Sequence, residues 1–169
     1  MSEHLLRIER LLAENDISAG YLSANAEFSM AQLQIDFSLE EEQDPLLLQV
    51  CHIPVPDSKV FILQFFIHLP LPPPFKPDAQ IPEFLVAGVQ NYIAQLNQIL
   101  PIVGFNSSQK DIYFRSSLIL EQYSEEQIIY YLELIHHLLR TCLPSLQAIA
   151  IGLDDVEEAI EKIPTLFGT

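Results

Sequence analysis

The 169-residue chain predicts a single α+β domain, with one antiparallel five-stranded sheet and three main helices in the order α-β-β-β-α-β-β-α. Three observations carry that expectation. Apolar segments with a two-residue period follow one another between residues 33 and 69, parted only by turn sequences, which is the mark of consecutive hairpins. Helical spacing of apolar residues recurs near the N-terminus, after residue 81 and after residue 124. Hydrophobic residues make up 49% of the chain, and a domain of this length buries about 68–70% of its unfolded surface, so it needs no staples.

The elements follow in order. Residues 3 to 16 predict a helix, because Leu5, Ile8, Leu11 and Leu12 share one face and Glu9, Arg10 and Glu14 the other. "ISAGYLSANA" breaks the pattern, with Gly20 and Asn25 as punctuation. "LQIDF" alternates Leu33, Ile35 and Phe37 with Gln34 and Asp36 and reads as a half-buried strand. "LEEEQDP" is a turn, since three adjacent glutamates cannot enter a core. "LLLQVCHI" is the next strand, "PVPDS" a turn through Pro56 and Asp57, and "KVFILQFFIHL" the strand after it.

The turns suggest a register. Centring one hairpin between Glu41 and Glu42 sets Gln34 opposite Gln49; centring the next between Pro56 and Asp57 sets Gln49 opposite Gln64. Three amides then form a row on one face, and Leu33, Ile35, Phe37, Leu46, Leu48, Val50, Leu63, Phe65 and Ile67 fall on the other. The amide face also holds Leu47, Cys51, Ile62, Phe66 and His68, which makes it too apolar for free solvent and too polar for a core.

"PLPPPFKPDAQIP" supplies a Pro-rich connector over residues 70–80, extended in the polyproline manner. Pro82 opens a helix that runs to about Leu100, with Ile81, Leu85, Val89, Tyr92, Leu96 and Ile99 as its stripe and Pro101 as its stop. "IVGF" and "DIYFRSSLIL" predict a hairpin over "NSSQK". Ser124-Glu125-Glu126-Gln127 is a capping-box pattern. It starts a long helix that buries Ile128, Tyr131, Leu132, Ile135, Leu139, Cys142 and Leu143, and Pro144 is expected to kink or split it. The acidic segment 153–169 is a short helix or a frayed tail.

The net charge is −15. Such a field repels a phosphate backbone and an anionic bilayer, so neither nucleic acid nor membrane is an expected partner. The N-terminus is charged throughout, unlike a signal peptide, and no apolar run reaches the ~18–20 residues of a membrane span, so a cytoplasmic location is expected. Cys51 and Cys142 lie in apolar runs without C-x-x-C partners and read as free buried thiols.

The five glycines are scattered, which leaves no phosphate loop, and there is no G-x-S-x-G elbow. Glu133-x-x-His136 is a single Glu-x-x-His unit where a di-iron bundle needs two with further glutamates. Of His136 and His137, one is expected at the core edge and one in water. His52 and His68 face opposite sides in the predicted register. The carboxylates of Glu40, Glu41, Glu42 and Asp44, and those after Asp154, read as solvated surface. Arg115 stands mid-strand between Phe114 and Ser116, where a cation needs an outlet to a carboxylate or a partner. No catalytic residue, metal site or cofactor is expected.

The stretch "LPIVGFNSSQKDIYFRSSLIL", followed by "YSEEQIIYYLELIHHLLRTCLPSLQAI", resembles a branch of bacterial sensory transduction regulators within the type III secretion chaperone-like fold. The shared pattern is a hairpin whose second strand carries an aromatic residue and an arginine, then a long helix with a proline near its end. The resemblance implies a non-enzymatic, often dimeric protein that binds other polypeptides. The expected function is therefore a chaperone-like or regulatory protein-binding module, a homodimer contacting another polypeptide through Leu47, Ile62, Phe66, Tyr113 and Arg115. The alternative is a binder of a small apolar ligand held between sheet and helix.

Overall fold

A computed structural model describes residues 3–26, 29–39, 45–72, 76, 80–102, 104–108 and 111–166. Its elements are α1 (Glu3–Glu14), β1 (Ala19–Leu22), β2 (Gln32–Phe37), β3 (Leu46–Ile53), β4 (Phe61–Leu69), α2 (Val86–Ile99), β5 (Phe105–Ser108), β6 (Asp111–Leu120), α3 (Glu125–Ala150) and α4 (Val156–Leu166). The strands form one sheet in the order β1-β2-β3-β4-β6-β5. The α+β class and the antiparallel hairpins stand as expected. Among the described residues the sheet has six strands rather than five, and there are four α-helices rather than three. Residues 40–44, most of the connector and the tip of the last hairpin, where several sequence expectations fall, lie outside the described residues.

Two compact units divide the chain: residues 1–67 with 115–136, and residues 68–114 with 137–169. In the first, α1 buries Leu5, Ile8, Leu11 and Leu12 as its spacing predicts. It ends in a Schellman motif, with Ile17 N–H donating to Leu12 O at 2.9 Å and Asp16 N–H to Ala13 O at 3.2 Å. Asp16 takes the left-handed conformation there (φ 57°), which a short polar side chain tolerates.

The unforeseen strand is β1, inside the stretch read as a break. Its alternation is faint because it is a half-buried edge strand, held by backbone pairing of Ala19 with Ile35 and by Tyr21 N–H donating to Glu9 Oε1 at 2.9 Å.

Between β2 and β3 the register is the expected one: Leu33 faces Val50, Gln34 faces Gln49, Ile35 faces Leu48 and Phe37 faces Leu46. Between β3 and β4 it differs by two positions. Gln64 pairs with Cys51, and Gln49 pairs with Phe66. The turn is centred where Pro56 and Asp57 predict, with Ser58 N–H donating to Val55 O and Asp57 at φ 57°. Lys59 and Val60 then remain outside the ladder, which displaces every pair beyond them. A two-residue displacement preserves the side each residue faces, so Leu63, Phe65 and Ile67 still join Leu33, Ile35, Leu48 and Val50 in the buried layer.

α3 begins as the capping pattern predicts, with Gln127 N–H donating to Ser124 Oγ at 3.4 Å. Pro144 neither ends nor divides it, for the helix is continuous from Glu125 to Ala150. A proline removes only one helical hydrogen bond. Cys142, Leu143, Leu146 and Ile149 are buried on both sides of it and hold the backbone in place.

In the second unit, a 3-10 turn at Glu83–Leu85 follows Pro82 and leads into α2, which buries Val89, Tyr92, Ile93 and Leu96. Ile99, expected in the stripe, is exposed, and Ile93 takes the buried place instead. The hairpin strand before β6 is Phe105–Ser108, not "IVGF"; Phe105 pairs with Phe114. Gly104 explains the displacement: a Cβ there would sit 2.2 Å from the Phe114 ring, so the chain passes too close for any side chain. Asn97 anchors the entry, donating to Phe105 O at 2.7 Å and accepting from Phe105 N–H at 3.2 Å.

α3 closes in a second Schellman motif, with Leu153 N–H donating to Ala148 O at 2.9 Å and Gly152 at φ 74°. The acidic segment is a helix, α4, whose first turn is capped by Asp155 Oδ1 accepting from Glu157 N–H at 2.8 Å.

Candidate functional site

The first unit gives its strands two unlike faces. On one, Leu33, Ile35, Leu48, Val50, Leu63, Phe65 and Ile67 are buried. The helices lie on this side: Tyr131 of α3 meets the Phe65 ring at 5.1 Å, and His136 of α3 meets Phe37 at 5.5 Å. His4 of α1 meets His52 at 4.8 Å. On the other face, Gln34, Gln49, Cys51, Ile62, Gln64 and Phe66 are half-buried, and Asp36 and Leu47 are exposed.

The amides share this face, but they do not form a single row. Gln34 faces Gln49, whereas Gln64 lines up with Cys51 and Gln32 one pleat away. With its amide oxygen turned to the neighbouring β6, Gln64 accepts from Arg115 Nε at 3.2 Å and Nη2 at 2.9 Å. This explains the amide in the most apolar strand: it holds the guanidinium. Among the described residues no carboxylate lies within salt-bridge distance of Arg115, so its charge is aimed but not neutralised there. Gln32 is only 4% exposed, and its Nε2 has no acceptor among the described residues.

Of the five residues expected to make contact, Phe66 stands beside Gln64 on β4, and Arg115 is bonded to Gln64. Tyr113 points to the same side of β6 as Arg115, one pleat away. Leu47 and Ile62 lie toward opposite ends. Ile62 pairs with Ile53, and the run from Leu47 to Ile53 is roughly 20 Å at about 3.3 Å per residue. The centre of the face is thus Gln64, Phe66 and Arg115, with Leu47 and Ile62 at its margins.

Burial pushes the Cys51 thiol up, away from the thiolate a nucleophile needs. It pushes that of Cys142, in the second unit, up to about 12. His136 is half-buried with its Nε2 at 3.0 Å from Ser38 O, and His137 is exposed, the division expected of the pair. Among the described residues no three metal-ligating side chains gather.

A second cluster escaped the sequence reading. His52 stacks on Phe61 at 4.9 Å, and His4 meets the edge of the same ring at 5.0 Å. Phe61 touches Tyr123 at 5.6 Å. The Arg7 guanidinium lies 4.0 Å over the Tyr123 ring while its Nη2 donates to Glu125 Oε1 at 2.9 Å. Burial, and then the neighbouring His4, lower the His52 pKa. Only the placement of α1 over the end of β3 brings these residues together, and no spacing in the sequence encodes it.

Compared with known proteins, the chain matches no family model and no curated sequence. No helix among the described residues is long and apolar enough to cross a membrane.

Proposed function

We propose that the chain is a non-enzymatic protein-binding module, chaperone-like or regulatory, that acts as a homodimer in the bacterial cytoplasm and receives a second polypeptide on the open face of its sheet. The observation that carries this reading is the asymmetry of β2–β4: both helices of the first unit lie on one face, and the other presents Leu47, Ile62, Phe66 and the Gln64–Arg115 pair, part-exposed. Leu47 keeps 43% of its surface in water. Completing the burial of such side chains contributes up to about 1.5–3 kcal/mol each before ordering costs. The guanidinium bonded to Gln64 offers further N–H groups to a partner's carboxylate. The resemblance to the secretion chaperone-like fold supports the same reading.

The ligand alternative draws less support. Between the strands and the helices, Leu5, Ile8, Leu12, Leu33, Leu63 and Phe65 fill the layer at 1% exposure or less.

Sedimentation velocity tests the proposal. The wild type is expected to run as a dimer, and Leu47→Glu and Phe66→Glu as monomers, with melting curves checking that each variant still folds. A monomeric wild type at all concentrations overturns the homodimer. Dimers that survive both substitutions remove this face from the interface.

A further inference from the structure

A groove of about 640 Å³ runs between the C-terminal end of α1 and the first turns of α3, on the helix side of the first unit. Leu11 and Asn15 form one wall, and Glu126, Ile129, Tyr130 and Glu133 the other. Tyr130 is 66% exposed, unusual for so large a ring. Glu126 and Glu133 stand four residues before it and three after it, so the three side chains share one stripe of the helix. No described residue pairs with either carboxylate, and no described cation or aromatic ring meets the Tyr130 ring.

The same end of α3 already shows what such a set of groups binds. Arg7 lies over Tyr123 and donates to Glu125: a ring face below and a carboxylate at the edge. Tyr130, Glu126 and Glu133 repeat those ingredients with no cation supplied by the described chain. A ring's negative face and flanking carboxylates both favour a guanidinium, whose planar fork bonds carboxylates while its plane stacks. With 23 acidic residues against eight basic, the protein draws basic partners toward it.

We infer that this groove is a docking site for an arginine-bearing basic segment of a partner polypeptide, with a guanidinium over Tyr130 and its N–H groups on Glu126 and Glu133. The inference is independent of the dimer reading, because the groove lies on the opposite side of the sheet from Leu47 and Phe66.

Fluorescence anisotropy of the full chain with a labelled peptide of alternating arginine and serine tests it, alongside the peptide with lysine in place of arginine. Wild type is expected to bind the arginine peptide more tightly than the lysine peptide, with affinity falling as salt rises. Tyr130→Ala should weaken binding about three- to fivefold, as loss of an exposed cation–π contact does, and Tyr130→Phe should restore it. Joint Glu126→Gln and Glu133→Gln should weaken it roughly tenfold. All three positions of change are on the surface, and melting curves check that the variants fold. The Leu47→Glu protein should bind as the wild type does, which separates this site from the sheet face. Equal affinity for both peptides, or variants that bind as well as wild type, would reduce the effect to net charge and overturn the assignment. So would absence of binding, or self-association lost in Tyr130→Ala, which gives the groove to a second copy of the chain.

Discussion

The two faces of β2–β4 are made by the same residues read alternately, yet they obey different rules. On the packed face, apolar side chains are shut away beneath α1 and α3. On the open face, amides, a thiol and a few apolar groups are half-covered, and Asp36, Leu47 and Arg115 are exposed. The contrast separates two jobs. The packed face decides which way each strand turns, because reversing one would drown its apolar residues. The open face can vary more in chemistry, since few of its side chains are fully buried.

The largest expected effect compares two adjacent phenylalanines that point opposite ways. Phe65→Ala should destabilise the protein by about 3–5 kcal/mol, because it opens a cavity in a layer that cannot collapse freely. Phe66→Ala should cost less, about 1–2 kcal/mol, because that ring is only part-buried. Denaturant unfolding of both variants measures the gap. Equal losses would mean that the open face is as tightly packed as the other, and the contrast would fail.

A smaller effect, of opposite sign, is expected at Gln32. Its buried Nε2 has no acceptor among the described residues, a cost of about 1–3 kcal/mol. Gln32→Met keeps the length of the side chain and removes the orphaned donor, so it should raise stability by roughly 1 kcal/mol. A loss of that size would show that the amide is satisfied and structural, and that the open face contributes more to folding than its exposure suggests.

How far the sequence reveals this follows from the same contrast. Alternation exposes the side a residue faces, because a slip of one position exchanges the faces. It is blind to a slip of two, and that is why Gln34–Gln49 was legible while Gln64 pairs with Cys51 instead. The turn at Pro56–Asp57 was legible too, but nothing in Lys59 or Val60 announces that they stand outside the ladder. β1 was hidden because an edge strand needs backbone partners more than patterned side chains. Helix starts at Ser124 and buried stripes such as Leu5–Leu12 were plain, since capping and 3.6-residue spacing are local. Of the open face, the residues could be named but not their grouping. Arg115 clearly needed an outlet, and only strand order shows that the outlet is Gln64.

The smallest expected effect sits at the margin of the packed face, where His52 is stacked on Phe61 with His4 beside it. The groups around this pair are Arg7 on α1, and Tyr123 with Glu125 at the start of α3. Burial and the charge of His4 hold the His52 pKa below its ordinary value. In that window the unfolded chain binds more protons than the folded one, so stability rises with pH and is lost as pH falls below about 6.5. Unfolding free energies measured between pH ~7 and ~5 should therefore decline, and the His52→Gln variant should show a shallower decline. The lower limit keeps ordinary carboxylates out of the comparison. Identical slopes in the two proteins would mean that His52 is solvated as freely in the fold as outside it. In that case the packed face would end before this ring, and α1 would rest on Leu5, Ile8 and Leu12 without help from its first turn.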